Sequence, residues 1–261
     1  MKKYTLETET LIDLINKKEH MVVMLAPSFL VDFSYPEIIN MLRKLGFEHV
    51  VEVSAGATET NRQLMNLLES NPGKRYITNP CPTIVQLIKN KYPELIPYLA
   101  PIDSPMIATA KMVTKKYPNY RKVYIGPCFA KKIEARDNPM LDILVLTYSE
   151  INQVFKEYAI YNQEGDPIYS FDVIGPTTRL YPISGGLAQS SGISRKLTDL
   201  EYDVISGSNL VNKTLEEFLE RKELKLLDIL YCEGGCINGP GIINKDSLED
   251  RRRKIIAYWN Q

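Results

Sequence analysis

The sequence reads Tyr231-Cys232-Glu233-Gly234-Gly235-Cys236-Ile237-Asn238-Gly239-Pro240-Gly241 near its C-terminal end. Two cysteines stand four positions apart in this stretch, and five of its eleven residues are glycine or proline. Glycine lets the backbone approach a bulky ligand closely and adopt conformations that a Cβ atom forbids. A pair of thiolates in such a loop is more typical of a metal centre than of core packing.

The other two of the four cysteines each follow a proline directly, in the motifs Asn79-Pro80-Cys81-Pro82 and Gly126-Pro127-Cys128. We expect these turns and the C-terminal loop to converge, so that four thiolates bind one iron–sulfur cubane. The predicted metal ligands are Cys81, Cys128, Cys232 and Cys236.

Composition is that of an ordinary soluble globular protein. The chain has 261 residues, of which 44% are hydrophobic, and its 32 basic residues balance its 32 acidic ones. This neutral balance favours neither nucleic acid nor an anionic membrane as a partner. The first 20 residues are charged and polar, and no apolar run approaches the about 18 residues of a membrane span. We therefore expect a cytoplasmic protein, in which cysteines serve metal or redox chemistry rather than disulfides.

Short apolar runs alternate with helical patterns along the chain, which predicts an α/β fold with small, mostly parallel sheets flanked by helices. The predicted strands cover residues 21–25, 50–53, 75–78, 122–126, 141–146, 202–206 and 226–231. The main predicted helices cover residues 10–18, 36–45, 58–69, 83–91, 105–116, 149–158, 213–222 and 247–260. Ser149 is the expected cap of the helix that begins there.

A single domain over residues 1–261 is expected, built of two lobes that close on a buried metal cleft. The approximate lobes are residues 1–100 with the C-terminal tail, and residues 101–245. In α/β folds ligands bind where strands end, and three of the predicted strand ends carry cysteine.

Four interpretations of the cysteines are open from the residues alone. Buried cysteine is common as a small apolar side chain, and disulfides are a second use of an even number. A structural zinc site usually takes two close pairs, but only Cys232 and Cys236 form such a pair. An iron–sulfur site accepts dispersed cysteines because only the folded geometry matters. The position of every cysteine in a Gly/Pro-rich turn favours this last interpretation.

Five motifs follow one another along the chain: Ala26-Pro27-Ser28, Thr78-Asn79-Pro80-Cys81-Pro82, Pro127-Cys128-Phe129-Ala130-Lys131-Lys132, Ser184-Gly185-Gly186 and Cys232-Glu233-Gly234-Gly235-Cys236. In this order they resemble the catalytic, H-cluster domain of the iron-only ([FeFe]) hydrogenases, the C-terminal domain of the large subunit. The resemblance covers nearly the whole chain, from Val22 to Gly241.

The resemblance implies that the four cysteines bind a [4Fe-4S] cluster and that Cys236 also bridges to a two-iron subcluster with carbon monoxide and cyanide ligands. It further implies that Lys131 and Ser28 donate to the cyanides, since an ammonium and a hydroxyl suit anionic ligands in a dry pocket. Without the motif, Lys131 would be interpreted as a solvated lysine. The other residues expected at the cofactor are Pro127, Gly185 and Gly235.

Several departures from the family pattern affect function. Active members carry a proton-relay cysteine where this chain has Pro80, which has no titratable group. Ala100 stands at the position of a relay serine, and Glu59 is close enough in sequence to substitute for a relay glutamate. Other pocket positions are changed to Gly126, Leu230 and Met106. The chain is thus interpreted as a divergent, minimal member with its ligands intact and its proton relay interrupted.

Two functions follow from this pattern. The first is a hydrogen-responsive or redox-responsive protein with a complete H-cluster and slow turnover. The alternative is a non-hydrogenase [4Fe-4S] protein that transfers electrons or regulates a partner and lacks the two-iron subcluster. In both cases we expect low or no hydrogen turnover and a redox or signalling protein as partner, with no binding to nucleic acid or membrane.

Overall fold

The computed structural model of the protein describes residues 3–260. The strands in this range are β1 (Met21–Leu25), β2 (Phe47–Glu52), β3 (Tyr76–Ile77), β4 (Arg121–Gly126), β5 (Ile143–Thr147), β6 (Tyr202–Ser206) and β7 (Leu226–Leu230). The α-helices are α1 (Leu6–Asn16), α2 (Glu37–Lys44), α3 (Ser54–Ser70), α4 (Pro82–Lys91), α5 (Pro105–Lys116), α6 (Lys131–Arg136), α7 (Tyr148–Glu157), α8 (Gly186–Ser191), α9 (Ser208–Glu217) and α10 (Leu248–Trp259).

The strands form two small parallel sheets. The first has the order β2-β1-β4-β5 and the second has the order β3-β7-β6. Every strand pairing within them is parallel. The predicted α/β class, with small parallel sheets flanked by helices, is therefore confirmed.

The sheets do not divide at residue 100, where the sequence suggested a boundary between lobes. β1 and β2 precede that residue but share a sheet with β4 and β5, while β3 pairs with β7. Parallel neighbours are joined by crossovers, so strands far apart in sequence can lie side by side. The order of elements along the chain could not show which strands pair.

The central strand β1 is buried on both faces, as its unbroken apolar run predicts. All five of its side chains have no exposed surface. Met21, Val23 and Leu25 pack into one core, and Val22 and Met24 pack into a second core on the other face of the sheet. The strand is therefore a rigid support for the turn at residues 26–28.

Several helices differ from the prediction, and α1 and α3 each begin four residues before the expected start, at Leu6 and Ser54. The cap of α7 is Thr147 rather than Ser149, because the Thr147 hydroxyl accepts from the amide of Glu150 while the Glu150 carboxylate accepts from the amide of Thr147. This reciprocal pair is a capping box. The short helix α6 was not predicted, and α9 begins at Ser208, five residues before the expected start.

The C-terminal helix α10 is fastened to the body by Tyr258. The guanidinium of Arg179 lies 3.9 Å from the centre of the Tyr258 ring and 3.3 Å from a carboxylate oxygen of Glu52. Phe29 meets the same ring edge-on, with the centroids 5.7 Å apart. None of the helices within residues 3–260 combines the length and the apolar character that crossing a membrane requires.

Candidate metal centre

All four cysteines line one cavity between the two sheets. Cys128 follows β4 of the first sheet, and Cys232 follows β7 of the second. Cys81 comes after β3 and immediately precedes α4, while Cys236 begins a 3₁₀ turn, Cys236–Asn238. Because the carboxyl ends of parallel strands meet at one edge of a sheet, this placement brings distant cysteines together. The structure thus brings together the predicted ligands, and none of them forms a disulfide.

Three of the four thiols, those of Cys128, Cys232 and Cys236, lie in an environment that disfavours their ionisation in the absence of a metal. Burial raises the pKa of the Cys232 thiol to about 12, and the neighbouring Cys81 and Cys128 add to this rise. Burial likewise raises the pKa of the Cys128 and Cys236 thiols. A bound metal deprotonates coordinating thiols outright. Binding of a thiophilic cation at these thiols would therefore release their protons.

The side chains do not form a ready-made site for a single metal ion. Within residues 3–260, no three His, Cys, Asp or Glu side chains come close enough together to share one metal ion. A tetrahedral zinc site with bonds of about 2.3 Å would require such proximity. Four free thiols line one cavity, and four cysteine thiolates are the usual ligands of an iron–sulfur cluster. The donor set is therefore compatible with an iron–sulfur cluster, and the role of each cysteine as a ligand stays a prediction.

The loop that carries Cys236 depends on Gly235. Its φ is +105°, and a Cβ atom added there would lie 2.5 Å from the carbonyl oxygen of Pro182. The segment around Pro182 holds the loop, because the amide of Ile237 donates to the Pro182 oxygen at 3.2 Å and the amide of Ser184 donates to the Gly234 oxygen at 3.0 Å. Only glycine accommodates both the conformation and the close approach.

A second contact joins this loop to the Cys128 turn. The amide of Gly241 donates to the carbonyl oxygen of Pro127 at 2.8 Å. A Cβ atom at Gly239 would lie 2.6 Å from the same oxygen. The Gly/Pro-rich sequence after Cys236 thus lets the loop lie flat against the neighbouring cysteine turn.

The predicted cofactor residues divide into two groups. Pro127 and Gly235 line the cavity, together with Ser28 and Lys131. Gly185 does not line the cavity: it precedes α8 with a φ of +78° and a Cβ atom there would face Val204. The glycine signature around residue 185 therefore serves the turn into α8, and its neighbours Ile183 and Leu187 reach the cavity wall.

Lys131 is a buried cation at the cavity. Its ammonium group donates to a carboxylate oxygen of Glu134 at 2.6 Å and to the carbonyl oxygen of Pro80 at 3.1 Å. Burial lowers the pKa of Lys131, but the charge of Glu134, its hydrogen bond and the nearby thiols outweigh burial and raise the pKa above its ordinary value. The side chain thus stays charged, and its third N–H has no partner among the described residues.

Ser28 reaches the cavity but its hydroxyl is already engaged. The Tyr148 hydroxyl donates to the carbonyl oxygen of Ala26 at 3.0 Å and lies 2.7 Å from the Ser28 hydroxyl. Because each hydroxyl has one hydrogen, Ser28 must donate to Tyr148. A ligand in the cavity would have to compete for that hydrogen.

The sequence did not identify two further polar residues of the wall, Asp228 and Tyr124. Burial raises the pKa of the Asp228 carboxyl to about 6, although the amide of Ala188, at 3.3 Å, and Thr78 both favour its ionised form. An acidic residue within an apolar strand was the available signal for Asp228. Glu59, considered as a proton relay, is paired with Arg62 at 2.6 Å and does not line this cavity.

Residues 19–240 match the family described as the iron only hydrogenase large subunit, C-terminal domain, and the chain belongs to this family. It is similar to iron hydrogenase 1 from Clostridium pasteurianum, with 26% identity over 94% of this chain and 54% of that protein. It is also similar to the cytosolic Fe-S cluster assembly factor NAR1 from Eremothecium gossypii, with 22% identity over 83% of this chain and 63% of that protein.

The fold matches that of solved hydrogenase structures. A variant of the [FeFe]-hydrogenase HydA1 from Chlamydomonas reinhardtii has a TM-score of 0.73 at 19% sequence identity, covering 97% of this chain and 88% of that one. The chain spans less than two thirds of the iron hydrogenase and of the NAR1 protein. The hydrogenase-like domain expected from the motifs is confirmed, whereas the activity of the longer relatives does not follow from it.

Proposed function

We propose that this chain is a cytoplasmic, redox-responsive iron–sulfur protein with low or no hydrogen turnover. Its [4Fe-4S] cluster is held in the cavity by Cys81, Cys128, Cys232 and Cys236. The observation that supports this most directly is the convergence of four free thiols on one cavity. When bound, such a cluster supplies one-electron oxidation and reduction.

The protein's own residues provide the environment for that chemistry. The Lys131 ammonium stabilises negative charge in the cavity, and its charge is itself maintained by Glu134. Pro80 lines the cavity at the position where a proton relay would require a titratable group. Electron exchange without fast proton delivery suits a sensor or an electron carrier better than a hydrogen-producing enzyme. We expect a redox or signalling protein as partner, and neither nucleic acid nor membrane.

The second candidate function is hydrogen sensing with a two-iron subcluster beside Cys236. It is favoured by the presence of Lys131 and Ser28 in the same cavity wall as that cysteine. The free third N–H of Lys131 offers a donor for an anionic ligand. The engagement of Ser28 with Tyr148 disfavours this candidate, because that donor is already used.

Anaerobic reconstitution with iron and sulfide tests the cluster. The wild-type chain is expected to bind four iron atoms per chain, as four thiolate ligands imply, and to give an electron paramagnetic resonance signal on reduction. Cys128→Ser is expected to lose most of this iron, whereas Thr83→Ser, a conservative change in the same wall, is expected to retain it. A wild-type chain that binds no cluster, or a Cys128→Ser variant that binds as much iron as wild type, would contradict the proposal.

Infrared spectroscopy separates the two candidates. The cluster-loaded protein is incubated with a diiron precursor bearing cyanide and carbon monoxide. Protein-bound bands that shift under hydrogen would support the hydrogen sensor, and Pro80→Cys would then be expected to accelerate turnover. If no cyanide or carbon monoxide bands remain bound to the protein, the hydrogen-sensing candidate is rejected. The chain would then hold the [4Fe-4S] cluster alone, with an electron-transfer or regulatory function.

A further inference from the structure

Tyr124 places a hydroxyl without a protein partner at the metal cavity. The residue lies on β4, is 4% exposed and lines the cavity. No residue in the described part of the chain forms a hydrogen bond with its hydroxyl. The other buried tyrosine of the wall, Tyr181, donates to the Asn61 side chain at 2.7 Å. Tyrosine hydroxyls in a protein interior usually have such a partner. The Tyr124 hydroxyl has none among the described residues, yet it is not one of the fully enclosed polar atoms without a partner, so it keeps accessible surface on a residue that lines the cavity.

The position of the Tyr124 ring depends on Gly126. A Cβ atom at residue 126 would lie 2.5 Å from the Tyr124 hydroxyl oxygen and 2.7 Å from the ring carbon that bears it. Any other residue at 126 would therefore displace the ring. Because Gly126 directly precedes Pro127 and Cys128, the absent side chain leaves room for the phenol at the beginning of the cysteine turn.

The electrostatic surroundings keep this phenol as a donor. Burial raises the pKa of Tyr124 well above its ordinary value, and Tyr148, Cys236 and Cys128 contribute in the same direction. The hydroxyl thus retains its hydrogen close to two of the four thiols. The purely structural explanation is that Tyr124 fills the core it shares with Val22 and Met24. A phenylalanine would fill that space as well, without presenting a hydroxyl that has no protein partner.

We infer that the Tyr124 hydroxyl donates a hydrogen bond to a sulfur of the group bound beside Cys128 and Cys236, either a cysteine thiolate or an inorganic sulfide. This inference rests on the proposed cluster. A hydrogen bond to sulfur stabilises the reduced, more negative form, and such bonds are one of the means by which proteins set cluster potentials. Tyr124 is thus a residue that raises the reduction potential.

The test compares Tyr124→Phe with Tyr181→Phe, a matched control in the same wall whose hydroxyl points to Asn61. Tyr124→Phe is expected to lower the equilibrium constant for one-electron reduction about tenfold, which corresponds to about 59 mV. Tyr181→Phe is expected to leave the potential at the wild-type value. In resonance Raman spectra, the shift of Fe–S frequencies on transfer to D₂O is expected to diminish only in Tyr124→Phe.

A second readout does not need the cluster. In the metal-free chain, Tyr124→Phe is expected to resist urea as well as wild type or better, while Tyr181→Phe is expected to unfold at lower urea because it loses a hydrogen bond. Gly126→Ala provides a second route to the same displacement and is expected to lower the potential as well.

The outcomes separate this inference from the proposed function. If wild type binds a cluster but Tyr124→Phe keeps both its potential and its D₂O shift, the inference is overturned and the proposed function stands. If wild type binds no cluster, both are overturned. A loss of urea resistance in metal-free Tyr124→Phe would reveal a structural hydrogen bond and would also count against the inference.

Discussion

Asp228→Asn should change how the stability of the metal-free chain depends on pH. The Asp228 carboxyl is 3% exposed, and burial raises its pKa from 3.8 to about 6. The unfolded chain therefore ionises this group at lower pH than the folded chain does. The stability that the protonated carboxyl contributes is fully present below pH 3.8 and is lost as the pH rises through about 6.

The expected size follows from the two pKa values. A shift of one pKa unit corresponds to about 1.36 kcal/mol. The rise in the pKa of Asp228 from 3.8 to about 6 therefore means that the wild-type chain loses about 3 kcal/mol of unfolding free energy as the pH increases from 3.8 to about 6. Asparagine cannot ionise and still accepts from the Ala188 amide. Relative to wild type, Asp228→Asn should therefore gain stability across this window and keep the gain above it.

Urea unfolding followed by circular dichroism, at pH values on either side of the window, measures this difference. Subtracting wild type from the variant cancels the other titrating groups. The control is Asp246→Asn, because the hydrogen bond from Lys254 lowers the pKa of that exposed carboxyl and the difference should have the opposite sign. A difference between Asp228→Asn and wild type that does not vary with pH would refute the reasoning.

Three further predictions concern stability, each measured by urea unfolding of the metal-free chain. Gly235→Ala should lower the free energy of unfolding more than Gly73→Ala does. Both glycines have a positive φ, which costs alanine about 1–2 kcal/mol, but only at Gly235 would the new Cβ atom also meet a backbone oxygen. Equal losses of stability in the two variants would contradict this close approach. Thr147→Ala should lower the free energy of unfolding by about 1 kcal/mol, because it removes the N-cap of α7. An unchanged free energy of unfolding would show that this cap does not contribute to stability. Lys131→Gln should lower the free energy of unfolding by about 3 kcal/mol, because it leaves the Glu134 carboxylate unpaired. Adding Glu134→Gln to this variant should restore part of the lost stability. If the double variant is no more stable than Lys131→Gln, the two side chains are not coupled.

Much of the fold was predictable because its signals are local. An unbroken apolar run such as Met21–Leu25 requires burial on both faces, and that is where β1 lies. The α7 cap was missed although Thr147 and Glu150 stand at capping-box spacing in the sequence. The pairing of β1 with β4 could not be predicted, because hydrophobic patterning marks a strand without identifying its neighbours.

Some residues of the candidate site could likewise be predicted from the sequence, and others could not. The cysteines were predictable because Gly/Pro-rich turns after strands mark positions where backbone can surround a ligand. Asp228 offered only the signal of an acidic residue within an apolar strand, and Tyr124 offered none. The sequence does not show that they face the cavity, because the face to which a strand residue points depends on how that strand is packed. Gly185 was placed at the cofactor on motif resemblance, whereas its positive φ serves the turn into α8.

The wall of the cavity explains why single polar residues matter there. Six of the residues that line it are prolines, which have no backbone N–H to donate: Pro27, Pro80, Pro82, Pro105, Pro127 and Pro182. Of the buried side chains in the wall, Ser28 and Tyr181 use their hydrogens on other residues. The third N–H of Lys131 and the hydroxyl of Tyr124 are the buried side-chain donors left for an occupant within residues 3–260. One is a cation and the other a neutral phenol, so substituting them separately distinguishes the effect of charge on a bound cluster from the effect of a hydrogen bond.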